Sequence, residues 1–190
     1  PTPAVAYLTR SLQAAAGIVI SASHNPIEDN GLKIFNREGL KLPDELEREI
    51  ERIYFHYDEL GAGLPRPEGT AVGGVQHDGE LLESYLQYLK STAASLEGLR
   101  LVVDCGHGAA CYSARVLLEQ LGAEVVIMHG EADGGRINVH CGATDTAALQ
   151  REVVRRGAGA GLAFDGDADR LIAVDEKGSV VDGDAINHGA

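Results

Sequence analysis

Three aspartates at alternate positions, Asp165, Asp167 and Asp169, follow directly on the apolar run at 160–164. Like charges this close are costly unless something neutralises them. Carboxylates converging from a strand end supply oxygen ligands for one hard cation such as Mg²⁺. The run therefore demands a fold in which an apolar strand opens into a polar loop, the place where α/β sheets hold ligands. Arg170, next in sequence, either offsets the aspartate charge or holds a phosphate.

Two other acidic loops share part of this pattern. An EF-hand loop also sets Asp at its first, third and fifth positions, but needs glycine at the sixth, where Arg170 stands. Strands rather than helices flank the run, so the EF-hand is excluded and Glu176 is a turn residue. A phosphatase with Asp-x-Asp after a strand would use Asp165 as nucleophile. That class places Thr or Val where Asp169 stands, which makes it the weaker reading. A non-catalytic metal-binding or interaction domain is a third possibility.

Elsewhere strands and helices alternate, which predicts an α/β fold with at least partly parallel pairing. Residues 17–22 read as a buried strand. Residues 31–42 read as an extended segment turning at Glu38-Gly39. A helix is expected from about Pro43, with Leu46, Ile50, Ile53 and Tyr54 on one face. Residues 61–76 hold five Gly and two Pro and read as a linker. Beyond it, Leu81, Leu82, Tyr85, Leu86 and Leu89 mark an amphipathic helix. Strands are expected at 99–104, 124–128, 160–164, 171–175 and 179–181. One helix should run from the Gly106–Gly108 turn to Leu121-Gly122, and another from a cap at Asp145 to about Arg156.

The charge narrows the partners. Acidic residues outnumber basic ones 29 to 16, a net −13. Such a surface repels nucleic-acid backbones and anionic lipid, and no apolar run is long enough to span a membrane. Cys105, Cys111 and Cys141 show no CxxC spacing and read as reduced, buried small residues in a cytoplasmic protein. The chain opens on Pro1-Thr2-Pro3 without Met, which suggests a fragment.

Ser23 lies in Ser21-Ala22-Ser23-His24-Asn25-Pro26, just after the first apolar run. A serine nucleophile needs its proton removed, and His24 is adjacent. Adjacent residues rarely point the same way, and there is no Gly-x-Ser-x-Gly elbow, so a Ser-His triad is poorly supported. Taken alone this segment is a polar turn. Lys33, in Asp29-Asn30-Gly31-Leu32-Lys33, would alone be a solvated surface lysine. Beside a phosphate it would be a ligand or proton donor.

Together, Ile20-Ser21-Ala22-Ser23-His24-Asn25-Pro26, Asp29-Asn30-Gly31-Leu32-Lys33 and Phe164-Asp165-Gly166-Asp167-Ala168-Asp169-Arg170 resemble the α-D-phosphohexomutase superfamily. The stretches Pro1–Thr9 and Ile137–Asp145 look most like its bacterial members that act on an amino-sugar phosphate. A neutral hexose phosphate is the alternative substrate. The resemblance covers nearly the whole chain. It implies two α/β domains with mixed sheets flanked by helices, the first incomplete, out of a four-domain enzyme. Residues 1–76 would be the latter part of domain 1 with its linker, 77–180 domain 2, and 181–190 the start of domain 3.

The resemblance further implies that Ser23 carries phosphate. Asp165, Asp167 and Asp169 would hold Mg²⁺ together with a phospho-Ser23 oxygen. His24 and Lys33 would lie near the transferred phosphoryl group, with Arg170 beside the metal loop. The substrate would be a phosphosugar and a 1,6-bisphosphate the activator. His107 stands where this superfamily often has Asn and is given no role. The chain alone is expected to bind metal poorly and to catalyse nothing.

Overall fold

The computed structural model describes residues 1–181. The stretch 182–190, where the resemblance places most of the start of a further domain, lies outside the described residues.

The chain opens with α1 (Thr2–Ser11), whose first turn tolerates Pro3 because its N–H would be unpaired there anyway. β1 (Gly17–Ile20) and β2 (Leu32–Phe35) form a two-stranded antiparallel sheet with Gly17 opposite Phe35. A side chain on Gly17 would strike Thr9 of α1, so glycine is what lets helix and strand approach. β1 corrects the expectation of a buried strand. Its residues alternate between faces, and Ile18 and Ile20 are 57% and 72% exposed.

The next helix, α2 (Asp44–Phe55), begins one residue later than expected, with Pro43 as its cap. Asp44, Glu45 and Glu47 suit the positive end of its dipole. None of its residues is buried, so the apolar row of Leu46, Ile50 and Tyr54 faces outward. A single turn, α3 (Tyr57–Leu60), follows. Residues 63–79 are exposed and carry little regular structure beyond the short 3-10 turn Gly69–Ala71. α4 (Glu80–Thr92) then buries Tyr85 and Leu86. Tyr88 stacks on Tyr7 of α1 with ring centroids 4.4 Å apart, joining the two helices.

The larger sheet has the order β4-β3-β5-β6-β7. It comprises β3 (Arg100–Asp104), β4 (Glu124–Met128), β5 (Ala160–Phe164), β6 (Leu171–Asp175) and β7 (Val180–Val181). β3 pairs parallel with both β4 and β5, whereas β5–β6 and β6–β7 are antiparallel, so the sheet is mixed. α5 (Ala114–Gln120) and α6 (Ala147–Arg156) cover its faces. Successive residues of β3 point to opposite faces. Leu101 and Val103 join Ala110, Ala114 and Ala123 on one side. Val102 joins Leu149, Val153, Ala163 and Val174 on the other.

Two local expectations need correction. The helix after the Gly106–Gly108 turn is broken, with a 3-10 turn at Ala109–Tyr112 preceding α5. The cap position of α6 is Thr146 rather than Asp145. Asp145 nonetheless contributes from one residue outside, its Oδ1 accepting the Ala147 N–H at 3.1 Å. Among the described residues no helix is long and apolar enough to cross a membrane.

Candidate active site

The turn after β1 and the β5–β6 loop meet. Ser23 is buried, and its hydroxyl donates to Asp165 Oδ2 at 2.8 Å across 142 positions of sequence. Its backbone lies in the left-handed region, φ 58°, which non-glycine residues seldom adopt. Two contacts hold it there. The Ser23 N–H donates to Ser21 Oγ at 2.9 Å, and Asn138 Nδ2 donates to the Ser23 carbonyl at 2.8 Å.

The aspartate loop is the hairpin connection between β5 and β6, so both its ends are fixed by the sheet. Asp165 Oδ1 accepts the backbone N–H groups of Asp169 and Arg170, at 3.2 and 3.1 Å. Ala168, at φ 56°, makes the bend that turns Asp167 inward and Asp169 outward. Gly166 faces the serine loop. A Cβ there would lie 2.5 Å from the Ser23 carbonyl oxygen, so only glycine permits the approach.

Lys33, on β2, reaches across to the same loop. Its Nζ lies 2.5 Å from Asp167 Oδ2 and 3.0 Å from Asp169 Oδ2. Thr2 Oγ1 also donates to Asp167 Oδ2, at 2.5 Å. One ammonium among three carboxylates leaves excess negative charge. Burial pushes the Asp165 carboxyl above its ordinary value, against the pull of the Ser23 hydroxyl and the Arg170 N–H. Burial acts the same way on Asp167, but the hydrogen bonds from Lys33 and Thr2 prevail and hold it below the usual range. Burial would lower Lys33, yet its two aspartate partners raise it overall.

These residues fit a divalent cation. One oxygen from each of Asp165, Asp167 and Asp169 lies within 4.8 Å of the others. Asp167 Oδ1 is buried without a hydrogen-bond partner. An all-oxygen set of this kind matches Mg²⁺ rather than a softer metal.

The structure thus brings Ser23, Lys33, Asp165, Asp167 and Asp169 together. It leaves His24 exposed, with no hydrogen bond or ion pair to the cluster among the described contacts. Arg170 is also exposed, its Nε 3.8 Å from Asp169 Oδ1. Thr2, Ser21 and Asn138 also support the site, and the sequence alone assigns no role to Thr2 or Asn138. Asp165 has both oxygens engaged, so it is poorly placed to act as the nucleophile of a phosphatase.

Comparison with known proteins agrees with this fold. The model of the phosphoglucomutase/phosphomannomutase α/β/α domain I matches residues 1–61, and that of domain II matches residues 83–178. A phosphoglucosamine mutase of Moorella thermoacetica is 56% identical over 98% of this chain and 41% of its own length. One of Carboxydothermus hydrogenoformans is 52% identical over 98% of this chain and 42% of its own. A phosphoglucomutase/phosphomannomutase family protein of Burkholderia thailandensis superposes with a TM-score of 0.67 at 26% identity. That match covers 87% of this chain and 34% of the other. The chain therefore spans about two fifths of the length of the curated relatives it matches. With an acidic loop fixed by the sheet and a serine held against it, this chain belongs to the phosphoglucomutase/phosphomannomutase family.

Proposed function

We propose that the full-length protein is a phosphoglucosamine mutase, interconverting glucosamine 6-phosphate and glucosamine 1-phosphate. The observation that carries this is the Ser23 hydroxyl held 2.8 Å from a buried carboxylate of the three-aspartate loop. The amino-sugar assignment draws its support from relatives of that name at 48–56% identity. In this reading residues 1–76 are the phosphoserine part with its linker, and 77–180 the metal-loop part. The matched ranges, ending at 61 and resuming at 83, accord with it. Three free cysteines accord with a cytoplasmic setting.

Phospho-Ser23 gives its phosphoryl group to the free hydroxyl of the sugar monophosphate. One P–O bond breaks at Ser23 and one forms at the sugar, while a proton passes from the sugar hydroxyl to Ser23 Oγ. The resulting 1,6-bisphosphate turns over, and its other phosphoryl group returns to Ser23. Positioning and charge neutralisation supply most of the rate. Asp165 fixes the direction of the Ser23 hydroxyl. Lys33 is the phosphate ligand or proton donor, and Asp167 and Asp169 hold its ammonium in place. His24 and Arg170, both exposed, border the space the sugar phosphate would occupy. Mg²⁺, held by Asp165, Asp167, Asp169 and a phosphoserine oxygen, would spread the charge of the transferring group. A free 1,6-bisphosphate would recharge any enzyme left dephosphorylated.

The test is a competition among glucosamine 1-phosphate, glucose 1-phosphate and mannose 1-phosphate on the full-length protein, followed by phosphorus NMR. The amino sugar should be converted first; preference for a neutral hexose overturns the substrate assignment. Ser23→Ala should lower kcat by at least about a thousandfold. Labelled phosphate should be recovered on Ser23, and label on Asp165 would make the protein a phosphatase instead.

A further inference from the structure

A second cluster of ligand-bearing side chains lies at the ends of β3 and β4 and shares no residue with the first. Asp104 ends β3, His129 follows β4, and Cys141 precedes the turn Gly142–Thr144. One candidate ligand atom from each lies within 4.8 Å of the others. Asp104 and Cys141 are fully buried, and His129 is half-buried. Asp104 Oδ1 accepts His129 Nδ1–H and the Gly106 N–H, both at 2.9 Å. Asp104 Oδ2 is buried with no partner at all, a costly state that a cation would relieve.

We propose that Asp104, His129 and Cys141 form a transition-metal site that takes Zn²⁺. Thiolate, imidazole and carboxylate are the donors of a borderline-soft cation, not of Mg²⁺. Three protein ligands leave the fourth tetrahedral position to water. The site has a structural consequence for the serine. Asn138, three residues before Cys141, donates its backbone N–H to Gly106 O at 3.0 Å and its side chain to the Ser23 carbonyl. A metal tying Cys141 to Asp104 therefore fixes the loop that holds Ser23. This makes it a positioning metal, separate from the phosphoryl-transfer chemistry.

The test is a Co²⁺ titration of the metal-stripped full-length protein, with Mg²⁺ in excess to occupy the aspartate loop. One equivalent should produce a thiolate-to-cobalt charge-transfer band together with the intense visible bands of tetrahedral Co²⁺. Zn²⁺ should bleach both. Cys141→Ser should lose the charge-transfer band, whereas Cys105→Ser and Cys111→Ser should keep it. X-ray absorption of the Zn²⁺-loaded wild type needs no variant to fold. It should show one sulfur at about 2.3 Å and nitrogen or oxygen neighbours at about 2.0–2.2 Å. A shell without sulfur, a shell with two sulfurs, or a band that survives Cys141→Ser overturns the proposal.

Discussion

Ser23 holds a backbone conformation that costs on the order of 1–3 kcal/mol at a non-glycine residue. Ser21, Asn138 and Asp165 together offset that cost and aim its hydroxyl. Gly166 makes the approach possible. Gly166→Ala should destabilise the protein by about 1–3 kcal/mol, as overpacking does, and lower turnover by displacing the Ser23 carbonyl. Thermal melts and turnover of the variant decide it; an unchanged melt sinks the idea. The buried thiols give a second expectation. With no cation bound, burial pushes Cys105 up to about 12 and Cys141 up to about 11, so neither offers a thiolate near neutral pH until a metal takes up Cys141. Iodoacetamide at about pH 8 should leave both unlabelled in the metal-stripped protein until it unfolds, with half-buried Cys111 reacting first, as mass spectrometry would show. The aspartates were legible from spacing alone, because mutual repulsion demands a neutraliser. Ser23 and Lys33 stood out only in combination with them. Thr2 and Asn138 were not legible, since their partners lie 165 and 115 positions away.

Elements were legible where one side chain period dominates. β4, β5 and β6 fall where their apolar runs place them, and α6 ends at Gly157 in the left-handed conformation that a terminating glycine supplies. β1 and α2 show the limit. Apolar periodicity identifies a face, not what covers it, and the faces of Ile20 and Ile50 are exposed here. The break before α5 was hidden for a different reason. Gly108 lies so close to Gly166 that the chain must pass the aspartate loop before it can wind into a helix. On α6, Glu152 accepts hydrogen bonds from Arg155 and Arg156, which hold its carboxyl down to about 2 from an ordinary 4.5. A lowered carboxyl contributes stability above its unfolded value and loses it as pH falls. The difference in melting temperature between wild type and Glu152→Gln should therefore shrink between pH 4.5 and about 2. High salt should shrink it too, because the pair is exposed. A difference constant over that range would count against the ion pair.

On the scale of the molecule, two sheets of unequal size meet through α1, α4 and the site itself. The longest unbroken run of exposed residues among the described ones is 63–80. Thermolysin should make its first cut there, before Val72 or Val75, which are exposed and outside any helix or strand. First cuts mapped by mass spectrometry to β3–β5 would show the larger sheet to be the weaker part. The composition bears on this scale as well. With a net charge of −13, Lys33 is the cation that faces the aspartate loop most closely, so the phosphorylated substrate proposed above would depend on local cations rather than on the overall field.

The 142 positions between Ser23 and Asp165 carry one more consequence. Contacts of such separation form late, after local helices and hairpins have settled. During synthesis Ser23 leaves the ribosome long before its carboxylate partner exists. It waits as an ordinary turn residue, facing nothing. On the function proposed above, phosphate would reach Ser23 as part of an assembled site only once translation has passed Arg170, so charging would fall to the finished fold and not to the nascent chain.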